Sequence, residues 1–126
     1  AGPAPTPAYR LPVTGKLLTG LGELSDAGVR SRGLTIAAAA SAQVIAPAAG
    51  RILYARRFRG YGVVVIIDHG GGWTSLIAEL ADASVRVGDQ VVQGAPIGHA
   101  AAGDAPRVTV ELRRRDRAID IARLLG

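Results

Sequence analysis

His69 and His99 are the only histidines among the 126 residues, so any hydrolytic centre would have to be built around them. A catalytic zinc ion takes about three nitrogen or oxygen ligands from the protein and keeps one position open for water. Neither histidine stands in an HxH, HxxxD or HExxH spacing, and no cysteine is present to replace an imidazole. Both lie beside small residues at strand ends, where imidazole commonly bonds to backbone, so both read as structural. A serine nucleophile would need one of these same histidines as its base, and the GxSxG elbow is missing.

Other motifs reduce to local structure. LPVTG (11–15) has the letters of a sortase signal, but that signal works before a C-terminal apolar tail, and here it is N-terminal. GYG (60–62) has no Gly-Lys-Ser/Thr after it and reads as a turn entering a strand. RRRDR (113–117) reads as a solvated strand end. With one tryptophan and one phenylalanine in the chain, base stacking has little to work with, and a nucleic-acid partner is not expected.

The elements that would position these residues are short strands. VIAPAAGRILYARR (44–57) gives two strands around a Pro-Ala-Ala-Gly turn, and VVVIID (63–68) pairs with WTSLIAEL (73–80) across His69-Gly70-Gly71-Gly72. GLTIAAAA (33–40) reads as a short strand. VRVGDQVVQGAPIGHA (85–100) sets glycines at turns between very short strands, as in small barrels. In RVTVELRRR (107–115) strict alternation sends Val108 and Val110 to one face and Arg107, Thr109, Glu111 and Arg113 to the other. IDIARLL (119–125) has helical spacing and predicts a short terminal helix.

Seventeen glycines, seven prolines and the β-branched runs favour an all-β class, and the length suits one domain. The net charge of +5 is carried almost wholly by arginine, since Lys16 is the only lysine, and it suits polyanions or acidic protein surfaces. No apolar run approaches the roughly 20 residues of a membrane-spanning helix. AGPAPTPA (1–8) reads as an extended linker, with a domain over 9–126; the absence of methionine implies that Ala1 is not a native start and that a further segment stands upstream.

From Val44 to Leu125 the chain resembles the lysostaphin-type (LytM) zinc endopeptidases. The pieces that carry the resemblance, in family order, are VIAPAAGRILYA, RGYGVVVIIDHGGG, TSLIAEL, VRVGDQVVQGAPIG and RVTVELRR. The resemblance implies a small antiparallel LytM-type sheet, barrel-like, ending in the short helix. It also implies that the zinc positions are empty of ligands. Ser31 and Thr35 stand where HxxxD supplies two, and Thr109 stands at the second histidine of HxH. The catalytic histidine positions hold Glu79 and Arg107. Neutral hydroxyls ligate zinc poorly and an adjacent guanidinium repels it, so neither metal, cofactor nor catalysis is expected.

Within that family the chain is most similar to the degenerate domain of EnvC-type murein hydrolase activators. The implied function is a non-enzymatic, periplasmic module that binds the inhibitory segment of an N-acetylmuramoyl-L-alanine amidase in the vacant groove during cell separation. Arg32, Tyr61, Ile77, Glu79, Arg107, Thr109 and Arg113 are the expected groove residues. A peptidoglycan-binding or scaffolding domain without activator role is the alternative.

Overall fold

The computed structural model describes residues 8–19, 33–115 and 117–124; Ser31, Arg32 and nearly all of the 1–8 linker segment lie outside that range. The described chain forms ten strands: β1 (Gly15–Thr19), β2 (Leu34–Ala38), β3 (Gln43–Ile45), β4 (Gly50–Phe58), β5 (Gly62–Gly70), β6 (Trp73–Ala83), β7 (Gln90–Val91), β8 (Pro96–Ala100), β9 (Arg107–Arg114) and β10 (Arg117–Ile119). All their pairings are antiparallel. The main sheet runs β1-β2-β9-β6-β5-β4-β7, with β10 added to β9 and β3 reached through β8.

β6 explains why the sheet branches. Trp73 to Leu80 pair with β5 and Trp73 to Ala78 with β9, and from Leu80 onward, across an irregularity between Leu80 and Asp82, the strand pairs with β8. Just before it lies Glu79, with a left-handed φ of 67°, in the stretch Ile77 to Leu80 where β6 has one residue more than the facing β5, a β-bulge. Such a bulge raises the local twist and turns the strand. Here it carries the end of β6 off the main sheet and onto the β3–β8 pair. Val44 and Ile97 from that pair close over Ile36, Ile52, Ile67 and Ile77, all of them fully buried, to make the core.

The barrel-like expectation is therefore corrected. Among the described residues the sheet stays open, with β1 at one edge and β7 at the other, because the bent strand diverts pairing into a covering layer instead of continuing it round. The terminal helix is corrected too. The described C-terminal residues form a single 3₁₀ turn, Ile121–Leu124. The preceding residues are consumed by β10, which folds back on β9, and the turn is pinned by the fully buried Ile121.

Close strand contact limits side-chain size at Gly98 in β8, where an added Cβ would lie 2.3 Å from the Asp82 carbonyl oxygen of β6. The contact is backbone and cannot swing aside. Gly98→Ala is expected to lower stability by about 1–3 kcal/mol, read as a fall in the urea midpoint with an unchanged slope; an unchanged midpoint would show that β6 and β8 are less tightly apposed.

Candidate functional site

β9 is flanked by β2 and β6, and the register puts Thr109 opposite Thr35 on one side and opposite Ala78 on the other. Burial along β9 alternates, with Val108, Val110 and Leu112 buried and Thr109, Glu111 and Arg113 partly exposed. The face away from the core thus carries a shallow open cleft of about 170 Å³, lined in part by Thr35, Tyr61, Leu76, Ala78, Thr109 and Glu111. Tyr61, 56% exposed, comes from the β4–β5 turn. Its carbonyl accepts a hydrogen bond from the Glu79 amide (2.7 Å), which fixes the turn against the β6 bulge.

Thr35, Thr109 and Tyr61 therefore meet at one cleft, while Ser31 and Arg32 lie outside the described residues. Arg107 opens β9 opposite Ala37. It stands within electrostatic reach of Glu79: partial burial holds that carboxyl above its usual value, and the Arg107 charge draws it back down. Arg113 is ion-paired through Nε to Glu111 Oε1, so its charge is answered within the same strand. Ile77 requires a correction. It is fully buried in the core, on the face it shares with Trp73 and Ser75, and the bulge is what turns Glu79 away from that face. Leu76 and Ala78, its neighbours, line the cleft instead; strand alternation alone would have found them.

Both histidines are committed elsewhere. The Nδ1 of His69 lies 2.7 Å from the Ala49 carbonyl oxygen and its Nε2 lies 2.6 Å from Ser75 Oγ. A carbonyl can only accept, so Nδ1 carries the proton and Nε2 of the neutral ring accepts from the Ser75 hydroxyl. Ser75, fully buried, in turn accepts from the Tyr9 hydroxyl at 2.6 Å. Burial pushes the Tyr9 phenol up despite that bond. Burial also holds His69 below its ordinary value, against the opposing pull of the Ala49 carbonyl and the Asp68 charge. His99 Nδ1 faces the Asp82 carboxylate at 3.0 Å on β6 and β8, beyond the bulge.

The residues at the family's metal positions do not fit zinc. Thr35 and Thr109 offer neutral hydroxyls, and among the described residues no three His, Cys, Asp or Glu side chains converge. No helix among them is long and apolar enough to cross a membrane.

The profile of Peptidase family M23 matches residues 29–121. The chain is 36% identical over 118 residues to the murein hydrolase activator EnvC of Escherichia coli, covering 91% of this chain and 28% of that protein. It is 30% identical over 125 residues to the murein hydrolase activator NlpD of Salmonella typhimurium, covering 97% and 32%. It therefore spans about a third or less of the length of these relatives. Among solved structures, a peptidase M23 protein from Pseudomonas aeruginosa superposes with a TM-score of 0.81 at 27% identity, over 100% of this chain and 53% of that one.

Two outcomes are expected. Protein dialysed against zinc retains far less than one equivalent by elemental analysis; a stoichiometric, tightly held ion would overturn the account of the cleft. His69→Ala, which leaves the buried Ser75 hydroxyl without its acceptor, costs about 1–3 kcal/mol above neutral pH. Because the folded-state value of His69 is depressed, its stabilisation is present in full above the unfolded value of about 6.5 and is lost as pH falls through the folded value. The stability gap between wild type and His69→Ala, measured by denaturant titration, should narrow as pH falls below about 6.5; a gap constant or widening toward acid would contradict the neutral-ring assignment.

Proposed function

Because the chain belongs to peptidase family M23, and is homologous to murein hydrolase activators, we propose that it is a non-catalytic module that activates a peptidoglycan hydrolase in the periplasm of a Gram-negative bacterium. The partner in this reading is a zinc-dependent N-acetylmuramoyl-L-alanine amidase, and the cleft on the outer face of the sheet receives its inhibitory segment. The observation that carries the reading is the row Thr35–Thr109–Ala78 across β2, β9 and β6. Small and neutral side chains occupy the place where hydrolytic relatives hold metal, and they leave an open, partly apolar floor.

That floor suits an amphipathic segment. Leu76 and Ala78 offer apolar contact, Thr35 and Thr109 offer hydroxyls that both donate and accept, and Tyr61 supplies an aromatic wall. Glu79 and Glu111 temper the cations Arg107 and Arg113, so the cleft has charges of both signs to match to a partner. If the segment binds here more tightly than in the amidase's own active site, the amidase population shifts toward its open form by that difference in affinity. The domain organisation follows the same reading: residues 1–8 are a linker and 9–126 the binding module.

Two substitutions test the cleft. Tyr61→Ala removes the wall and Thr109→Tyr fills the floor with a residue that strands accept readily. Each is expected to leave the melting curve near wild type, with a change of about 0.5 kcal/mol or less for the exposed Tyr61. Each should weaken amidase binding more than tenfold, roughly the effect of 1.4 kcal/mol or more, and reduce dye release from labelled sacculi in proportion. Full activation by both variants would place the contact elsewhere. Sedimentation of the wild-type chain with sacculi in the absence of amidase would favour the scaffolding alternative.

A further inference from the structure

The outer half of the β4–β5 hairpin has a composition unlike the rest of the surface. From Arg51 to Ile67 the sequence contains four arginines and no carboxylate. Phe58 and Tyr61 flank the turn, 52% and 56% exposed, and Leu53 is 48% exposed further down β4. The Tyr61 amide donates to the Phe58 carbonyl (2.9 Å), closing a tight turn with Arg59 and Gly60 at its apex. Gly60 has φ of 82°, and an added Cβ there would meet nothing within 4 Å, so the apex stands clear of the rest of the protein.

The aromatic rings form a ridge through edge-on and tilted contacts. Phe58 lies 5.8 Å from Tyr61 and 6.4 Å from Tyr54, and the Arg56 guanidinium sits 5.6 Å from the Tyr54 ring centre. β7 pairs only with Gly50 and Arg51, so among the described residues no strand covers the outer edge of β4 from Leu53 onward. On the β6 flank stands Glu79, whose amide donates to the Tyr61 carbonyl and whose charge interacts with Arg107.

We propose that this hairpin, residues 53–61, is a docking surface for an anionic phospholipid bilayer. The Gly60 apex meets no other part of the protein within 4 Å, and a deformable interface needs no preformed pocket. Phe58 would enter the boundary between headgroups and acyl chains, as aromatic residues do in interfacial segments. Arg56, Arg57 and Arg59 would extend along it to lipid phosphates, their stems lying on apolar surface. Tyr61 borders both the ridge and the Thr35–Thr109 cleft, so the two surfaces adjoin, and a membrane contact made through Phe58 and the arginines would hold the module with the cleft beside the bilayer.

The test is co-sedimentation of the full 126-residue chain with vesicles of phosphatidylcholine alone and of phosphatidylcholine mixed with phosphatidylglycerol. Binding is expected only to the mixed vesicles and should weaken as salt is raised. Arg57→Ser should lower partitioning about fivefold, the factor corresponding to about 1 kcal/mol for one cation at an anionic surface. Phe58→Ala should lower it roughly tenfold through lost apolar burial. Both variants should melt like wild type, since both side chains are exposed. Absence of binding to mixed vesicles, or binding that neither substitution changes, would overturn the proposal. So would equal, Phe58-dependent binding to soluble poly-glutamate, which would assign the ridge to an acidic protein.

Discussion

The bulge in β6 governs the rest of the molecule. A strand long enough to pair with β5, β9 and β8 cannot do so in one plane; the left-handed turn of backbone at Glu79 lets one strand serve two layers. Without that bend the β3–β8 pair would have no strand to join, and Val44 and Ile97 would not close the core. The same irregularity fixes the Tyr61 turn through the Glu79 amide. Core closure and cleft shape thus depend on one backbone conformation, held by a non-glycine residue in a region that side chains visit at some cost.

Much of this arrangement was legible in the residues, because alternation in RVTVELRR has a single physical meaning on a half-buried strand. Thr109 could be assigned to the outer face from that pattern, and its pairing with Thr35 follows once β2 lies beside β9. What could not be read was the bulge. Nothing in IAEL (77–80) distinguishes a strand that continues from one that bends, so the open sheet looked like a barrel; Ile77 was expected in the groove from the family resemblance, whereas alternation with Trp73 and Ser75 puts it in the core. The helical spacing of IDIARLL was misleading for a different reason: residues 117–119 find strand partners on β9, and tertiary pairing overrides the propensity of so short a segment.

The chemistry of the outer face is one of subtraction. Thr35 and Thr109 bring neutral hydroxyls to the middle of the cleft, and the two histidines serve as struts on other parts of the sheet. Apart from Glu111 the residues lining the cleft are uncharged, so an incoming apolar group meets little of the desolvation penalty that a buried charge imposes.

The Tyr9–Ser75–His69 network has a mechanical consequence. Tyr9 is buried, its hydroxyl is bonded to β6, and the backbone around it is stitched down by bonds from Arg10 to Pro47, from Ile45 to Pro12 and from the Gln93 side chain to Ala8. Tension applied to the chain at Ala8 would therefore load several bonds at once, across three separate stretches of the domain, before it could strip any strand from the sheet. The attachment is a shear joint with its anchor at the buried ring, so a pull on that end would turn the whole module as a rigid lever instead of unravelling it.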